Sequence, residues 1–184
     1  MKKERCLWAE GNELLQQYHD EEWGKPHYDD AYLFEFLILE GMQAGLNWSI
    51  VLKKREAMRK AFFQFSPDKL HKLTTTQIDK MMTNPELIRH RLKLESLQKN
   101  AIAFLNIQKE FGSFSKYIWG FTNQEIIVNH YKRGELFPTR SELSDAISKD
   151  LKKRGFKFVG TTIVYAYLEA IGIINDHEHD CDWK

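Results

Sequence analysis

Apolar positions along the chain recur at helical rather than strand spacing. The first strong run is 30–43, where Leu33, Phe34, Phe36, Leu37 and Leu39 crowd nearly the whole circumference. A helix that is apolar all round has to be buried, and Asp29 and Asp30 stand ready to cap its start. A second, amphipathic helix is predicted over 48–63 through Ile50, Val51, Leu52, Met58, Ala61 and Phe62. Ser66-Pro67 reads as the cap and first position of a short helix, and Thr74 to Gln77 has capping-box spacing. Residues 91–111 predict a long helix with Leu94, Leu97, Ala101, Phe104 and Leu105 on one side. Thr139-Arg140-Ser141-Glu142 reads as a capping box before a helix to about Arg154, and a last helix spans roughly Gly160 to Ile171. Only Ile126-Ile127-Val128 looks like a strand; it is too short to establish a sheet, and 123–140 reads as an exposed loop. No repeat, low-complexity tract or linker divides the chain. The expectation is one all-α domain over residues 1–184.

Charge changes the picture little. The 27 basic and 26 acidic residues leave a formal charge of +1, so any nucleic-acid partner has to be met by a local basic patch or by oriented backbone amides. The N-terminus Met-Lys-Lys-Glu-Arg has no apolar h-region behind it, and no apolar run is long enough for a membrane span. A cytoplasmic protein without a membrane partner is expected. In that compartment a structural disulfide between Cys6 and Cys181 is disfavoured, which leaves a metal or two unrelated thiols. Aromatic residues make up 13% of the chain, with five Trp, enough for an aromatic pocket besides the core.

His177 and Cys181 are four apart, a spacing that puts both side chains on one face of a helix or tight turn. With Cys6 and His19 they make a Cys₂His₂ set suited to tetrahedral Zn²⁺, closed to water and therefore structural. Against this stand the 13-residue gap from Cys6 to His19, which fits no common finger pattern, and His179 as a rival ligand.

Four segments in order carry a resemblance. They are Arg5-Cys6-x-Trp8; Tyr18-His19-Asp20-x-Glu22-Trp23-Gly24; Leu39-Glu40-x-x-Gln43-Ala44-Gly45-Leu46 with Trp48 and Val51-Leu52-Lys53-Lys54-Arg55-Glu56; and Lys152 through Thr162 with Asn175-Asp176-His177 and Cys181. Together they resemble the 3-methyladenine DNA glycosylase I family over nearly the whole chain. The resemblance implies a helix-hairpin-helix DNA glycosylase bundle with one structural zinc on Cys6, His19, His177 and Cys181, joining the two terminal segments and favouring His177 over His179. It implies double-stranded DNA bearing alkylated bases as partner, and no nucleotide cofactor; a monomer is the default expectation. Two positions depart from the family pattern: Met42 stands where members often have Gln, and Leu15 where they often have Tyr.

The residues themselves say what such chemistry would need. A base locked in a duplex has to be flipped into a pocket before it is reached. Methylation at N3 makes adenine cationic and a good leaving group, so recognition and charge stabilisation matter more than proton donation. Glu40, an acid in an apolar helix, is costly there unless it meets a partner, and the resemblance makes it the reader of the alkylated base. Tyr18 and Trp48 would stack on a cationic base, with Trp8 and Trp23 completing an aromatic wall. Leu46 is a candidate wedge filling the gap left in the base stack. Gly155-Phe156-Lys157-Phe158-Val159-Gly160, followed by Thr161 at a helix start, offers outward backbone amides for phosphate, flanked by Lys152, Lys153 and Arg154. The plainer alternatives are a solvent-facing Glu, core aromatics, an ordinary buried Leu and a basic helix end with a glycine cap. Many helix-hairpin-helix glycosylases carry a catalytic Asp after the second helix; here Asn175 takes that place, beside Asp176, and no lysine at the hairpin marks a Schiff-base nucleophile. A monofunctional enzyme without lyase activity is expected.

Overall fold

The computed structural model describes residues 3–184. Its helices are α1 (Glu13–Glu21), α2 (Asp30–Gln43), α3 (Trp48–Ala61), α4 (Pro67–Leu70), α5 (Thr75–Thr83), α6 (Arg91–Phe111), α7 (Phe114–Gly120), α8 (Glu142–Lys153) and α9 (Thr161–Ala170). The helix α2 is the axis of the core. Leu33, Phe34, Phe36, Leu37, Ile38 and Leu39 are all buried, as its unbroken apolar pattern requires. It packs against α3, α6, α7 and α9, so whatever α2 carries is held from several sides.

The two aspartates at its start divide their work. Asp29 caps α2 through the Tyr32 amide at 3.0 Å. Asp30 instead accepts from the Phe114 and Ser115 amides, each at 2.8 Å, and so caps α7 from outside that helix. The capping box at Thr74–Gln77 forms as expected. The one before α8 sits two residues later than the sequence suggests: Ser141, paired with Ser144, is the cap rather than Thr139 with Glu142.

The region 123–140 is more than a loop. Residues Ile127–Val128 (β1) pair in parallel with Ile174–Asn175 (β2), and Tyr131 bridges Glu178 further along. The fold is thus helical apart from this short ladder, whose partner strand lies close to the C-terminus and is invisible to local periodicity. Among the described residues no helix is long and apolar enough to cross a membrane.

Candidate active site and metal cluster

A cavity of about 440 Å³ opens between the N-terminal segment, α2, α3, α9 and the loop after β1. Its lining includes Trp8, Tyr18, Trp23, Glu40 and Trp48, all five of the base-contacting residues expected from sequence. The rings form one continuous wall. Trp8 meets Trp23 edge-on with centroids 4.9 Å apart, and Tyr18 lies 5.3 Å from Trp48 and 6.0 Å from Phe36. An aromatic box of this kind suits a flat, positively charged ligand.

Glu40 leaves α2 on the side facing this box. It is 3% exposed, and its Oε2 has no hydrogen-bond partner. Burial alone pushes its carboxyl up to about 8, because no cation stands near enough to offset desolvation. The indole N–H groups of Trp8 and Trp48 are likewise buried and unpartnered. Three unspent polar groups thus belong to one apolar cavity. Native proteins leave very few buried polar atoms unpaired, so such a concentration marks a place where a ligand completes the bonds.

Sequence reasoning overlooked part of this wall. Gly134, Glu135, Leu136 and Phe137 line the cavity from the loop after β1. Phe137 stacks on Trp23 at 6.2 Å, and Arg133 anchors the loop to the Arg5 carbonyl at 2.7 Å and to Glu10 at 2.6 Å. Glu178 also lines the cavity, but both its oxygens are engaged, by the Leu7 amide at 3.0 Å and the Gly134 amide at 2.9 Å. Glu169 of α9 is a second acid in the lining, held well above the usual carboxylate range by burial and by Asp176 and Glu40. The signal that singled out Glu40, an acid in an otherwise apolar helix, was equally present in Thr161–Ala170.

The two departures from the family pattern fall outside the cavity. Met42 is 2% exposed in the core, Leu15 is half-buried on α1, and the α2 residue that lines the cavity near Glu40 is Gln43. Asn175 is absent from the lining as well. Its Oδ1 lies 2.7 Å from His177 Nδ1 and accepts from the His177 amide at 3.2 Å. Asp176 is fully buried, bonded to Tyr165 Oη and Asn129 Nδ2, each at 2.7 Å.

Behind the aromatic wall the termini meet. The ligand atoms of Cys6, His19 and Cys181 all lie within 4.8 Å of one another, and all three residues are buried. The fourth expected ligand, His177, falls outside that group but beside it, its ring 5.1 Å from His19. His177 reaches this position from a turn rather than a helix, Cys181 donating back to the Glu178 carbonyl at 2.9 Å. Gly24 leaves the room: it sits at φ +70, and a Cβ there would lie 2.6 Å from the His177 ring. The chemistry fits a metal. His177 Nε2 is a buried orphan, while Asn175 holds Nδ1. His19 Nδ1 is 2.8 Å from Asp20 Oδ1, which Arg5 grips in turn. A carboxylate behind a histidine of this kind orients the other nitrogen toward a cation. Burial pushes the Cys6 thiol up and lowers His177 to about 4, so the histidine is neutral and ready to ligate while the thiol needs a cation to ionise.

The hairpin lies elsewhere on the surface, between α8 and α9. Gly155 at φ +100 and Lys157 are exposed, Gly160 and Thr161 half-buried. Thr161 Oγ1 is 2.7 Å from Ser144 Oγ, so its hydroxyl already has a partner. Leu46 sits 38% exposed in the turn from α2 to α3.

Comparison with known proteins agrees with this geometry. Residues 8–184 match the methyladenine glycosylase family. DNA-3-methyladenine glycosylase of Haemophilus influenzae is 49% identical, covering 98% of this chain and 97% of its own. DNA-3-methyladenine glycosylase 1 of Escherichia coli is 43% identical, covering 97% and 95%. The structure of 3-methyladenine DNA glycosylase I from Staphylococcus aureus, solved for the basis of 3-methyladenine recognition, superposes with a TM-score of 0.94 at 39% identity, covering 98% of this chain and 96% of that one. The fold and cavity define a helical DNA glycosylase. The chain belongs to the methyladenine glycosylase family.

Proposed function

We propose that this protein is a DNA-3-methyladenine glycosylase that hydrolyses the N-glycosidic bond of 3-methyladenine in double-stranded DNA, and that it is monofunctional. The observation that carries the reading is Glu40, buried in an aromatic cavity with an oxygen free of partners. The lesion nucleotide leaves the helix and enters the cavity, where Tyr18 and Trp48 face the cationic purine and Trp8 and Trp23 close the wall. As the cation arrives, its charge favours the ionised form of Glu40, the carboxyl releases its proton to solvent, and the carboxylate accepts from the exocyclic amine. Normal adenine brings no charge to offset that ionisation and gains less. Bond cleavage then releases a neutral base while positive charge develops on the sugar, and the enzyme has little proton transfer left to supply. No acid after α9 lines the cavity at the position of Asn175 or Asp176, in keeping with a leaving group that departs easily.

The hairpin at Gly155, Lys157, Gly160 and Thr161 is the site where the DNA backbone docks, through backbone amides and the basic residues beside them. Leu46, exposed in the α2–α3 turn, fills the space vacated by the flipped base. The group Cys6, His19, Cys181 and His177 would hold one structural Zn²⁺ that ties the termini behind the aromatic wall. The protein acts as a monomer and uses no nucleotide cofactor.

The test is incubation of the metal-replete protein with methylated duplex and chromatography of the released bases. Free 3-methyladenine and an intact abasic strand are the expected products. No released base, or cleavage of the strand by the protein itself, contradicts the reading.

A further inference from the structure

On α6, three polar side chains are buried beside Leu94, Leu97, Ala101 and Phe104: Lys93 at 4% exposure, Asn100 at 3%, and Ser96, whose hydroxyl turns back onto the Lys93 carbonyl of its own helix at 2.6 Å; Lys93 and Asn100 are the two that reach other segments. They are seven positions apart, two turns, or about 10 Å along the helix axis. A buried lysine or amide is costly unless its hydrogen bonds are met. Both spend theirs on the main chain of other segments. Lys93 Nζ donates to the carbonyls of Met42 at 2.8 Å and Ala44 at 2.7 Å, at the end of α2. Asn100 takes both main-chain groups of Lys157, accepting from its amide at 2.8 Å and donating to its carbonyl at 3.1 Å.

The two segments so gripped also touch each other. A Cβ on Gly41 would come 3.3 Å from that of Phe158, and His90, which caps α6, stands edge-on to Phe158 at 6.2 Å. One segment carries Glu40 and turns through Leu46 to Trp48; the other is the hairpin. Neither can move against the other without breaking bonds to one rigid helix.

We infer that the Lys93–Asn100 face of α6 is a strut that fixes the distance between the base cavity and the hairpin, so that a duplex gripped at the hairpin presents its flipped nucleotide at the cavity mouth. The inference rests on the proposed reading that the hairpin holds the DNA backbone. Lys93 and Asn100 are both buried and neither lines the cavity; they are positioning residues. A strut of this kind acts on duplex and leaves the free base unaffected, which separates it from general stabilisation.

The test compares wild type with Asn100→Asp, which replaces the amide donor by an oxygen, and Lys93→Met, which removes the ammonium at similar length. Lys93→Arg and Asn100→Ser serve as milder changes should either variant fail to fold. Two quantities are read on folded protein: affinity for free 3-methyladenine by tryptophan quenching, and KM with single-turnover release on a lesion duplex. Free-base affinity is expected to stay within about twofold, whereas duplex KM rises about tenfold or more in Asn100→Asp and the release rate falls about tenfold in Lys93→Met. Lys93→Arg, which keeps the donors, is expected to recover most of that rate. Variants with unchanged duplex kinetics overturn the strut, as does a free-base affinity that falls in step with them. Wild-type protein that releases no base overturns the glycosylase reading instead.

Discussion

Glu40 and Glu178 line one cavity, each 3% exposed, and they live in opposite ways. Glu178 has both oxygens occupied by amides from the N-terminal segment and from the loop after β1, with Arg133 at 3.7 Å. It ties together the rim. Glu40, on a helix packed by α3, α6, α7 and α9, has an oxygen with no partner. Burial alone therefore does not separate a functional carboxylate from a structural one; what separates them is whether the fold has already met the bonds.

The largest effect is expected from emptying the satisfied site. Glu178→Ala leaves the Leu7 and Gly134 amides without their acceptor and cuts the link between the terminal segments and the loop. Urea unfolding should show a loss of about 3–5 kcal/mol. A loss under about 1 kcal/mol would erase the contrast.

The unsatisfied site should respond in the other direction. The folded protein holds the Glu40 proton up to about pH 8, whereas the unfolded chain gives it up near the ordinary value of 4.5. The unfolded state therefore binds fewer protons between those pH values, and the native state loses stability as pH rises through that window. Glu40→Gln does not titrate. It should match wild type near pH 4 and exceed it by up to about 3 kcal/mol at pH 7 in denaturant titrations. Equal stability at both pH values would mean that the carboxyl is solvated after all.

Smaller is the part of the rings. Trp48→Ala removes one face presented to a cationic base, worth about 1–2 kcal/mol when desolvated, and release from a lesion duplex should slow by about 5- to 30-fold in kcat/KM. An unchanged rate would take Trp48 out of the recognition wall.

Much of this was legible in the sequence, for a physical reason. The helices α2, α3 and α6 announce themselves through apolar spacing, and Glu40 stands out because a charge in such a run needs explaining. The cavity wall from Gly134 to Phe137 did not, because its place depends on pairing between β1 and a strand some 50 residues on, and a two-residue ladder leaves no periodic trace. Glu178 hid for the same reason: its partners, Leu7 and Gly134, are distant in sequence. The cap of α8 was displaced because Thr139 and Ser141 are both favoured cap residues, the Glu142 spacing pointed to Thr139, and the structure uses Ser141 with Ser144 instead. Asp30 likewise obeys a local capping rule yet serves α7.

The most direct test of the central claim is single-turnover release of 3-methyladenine from a lesion duplex at pH 7, wild type beside Glu40→Gln, both matched for metal content and circular dichroism. Loss of the Glu40 carboxyl group from an otherwise intact cavity is expected to slow release by about 100-fold or more, nearly 3 kcal/mol of transition-state stabilisation. A Glu40→Gln protein that releases the base within about threefold of wild type would show that the unpartnered acid is not what reads the lesion.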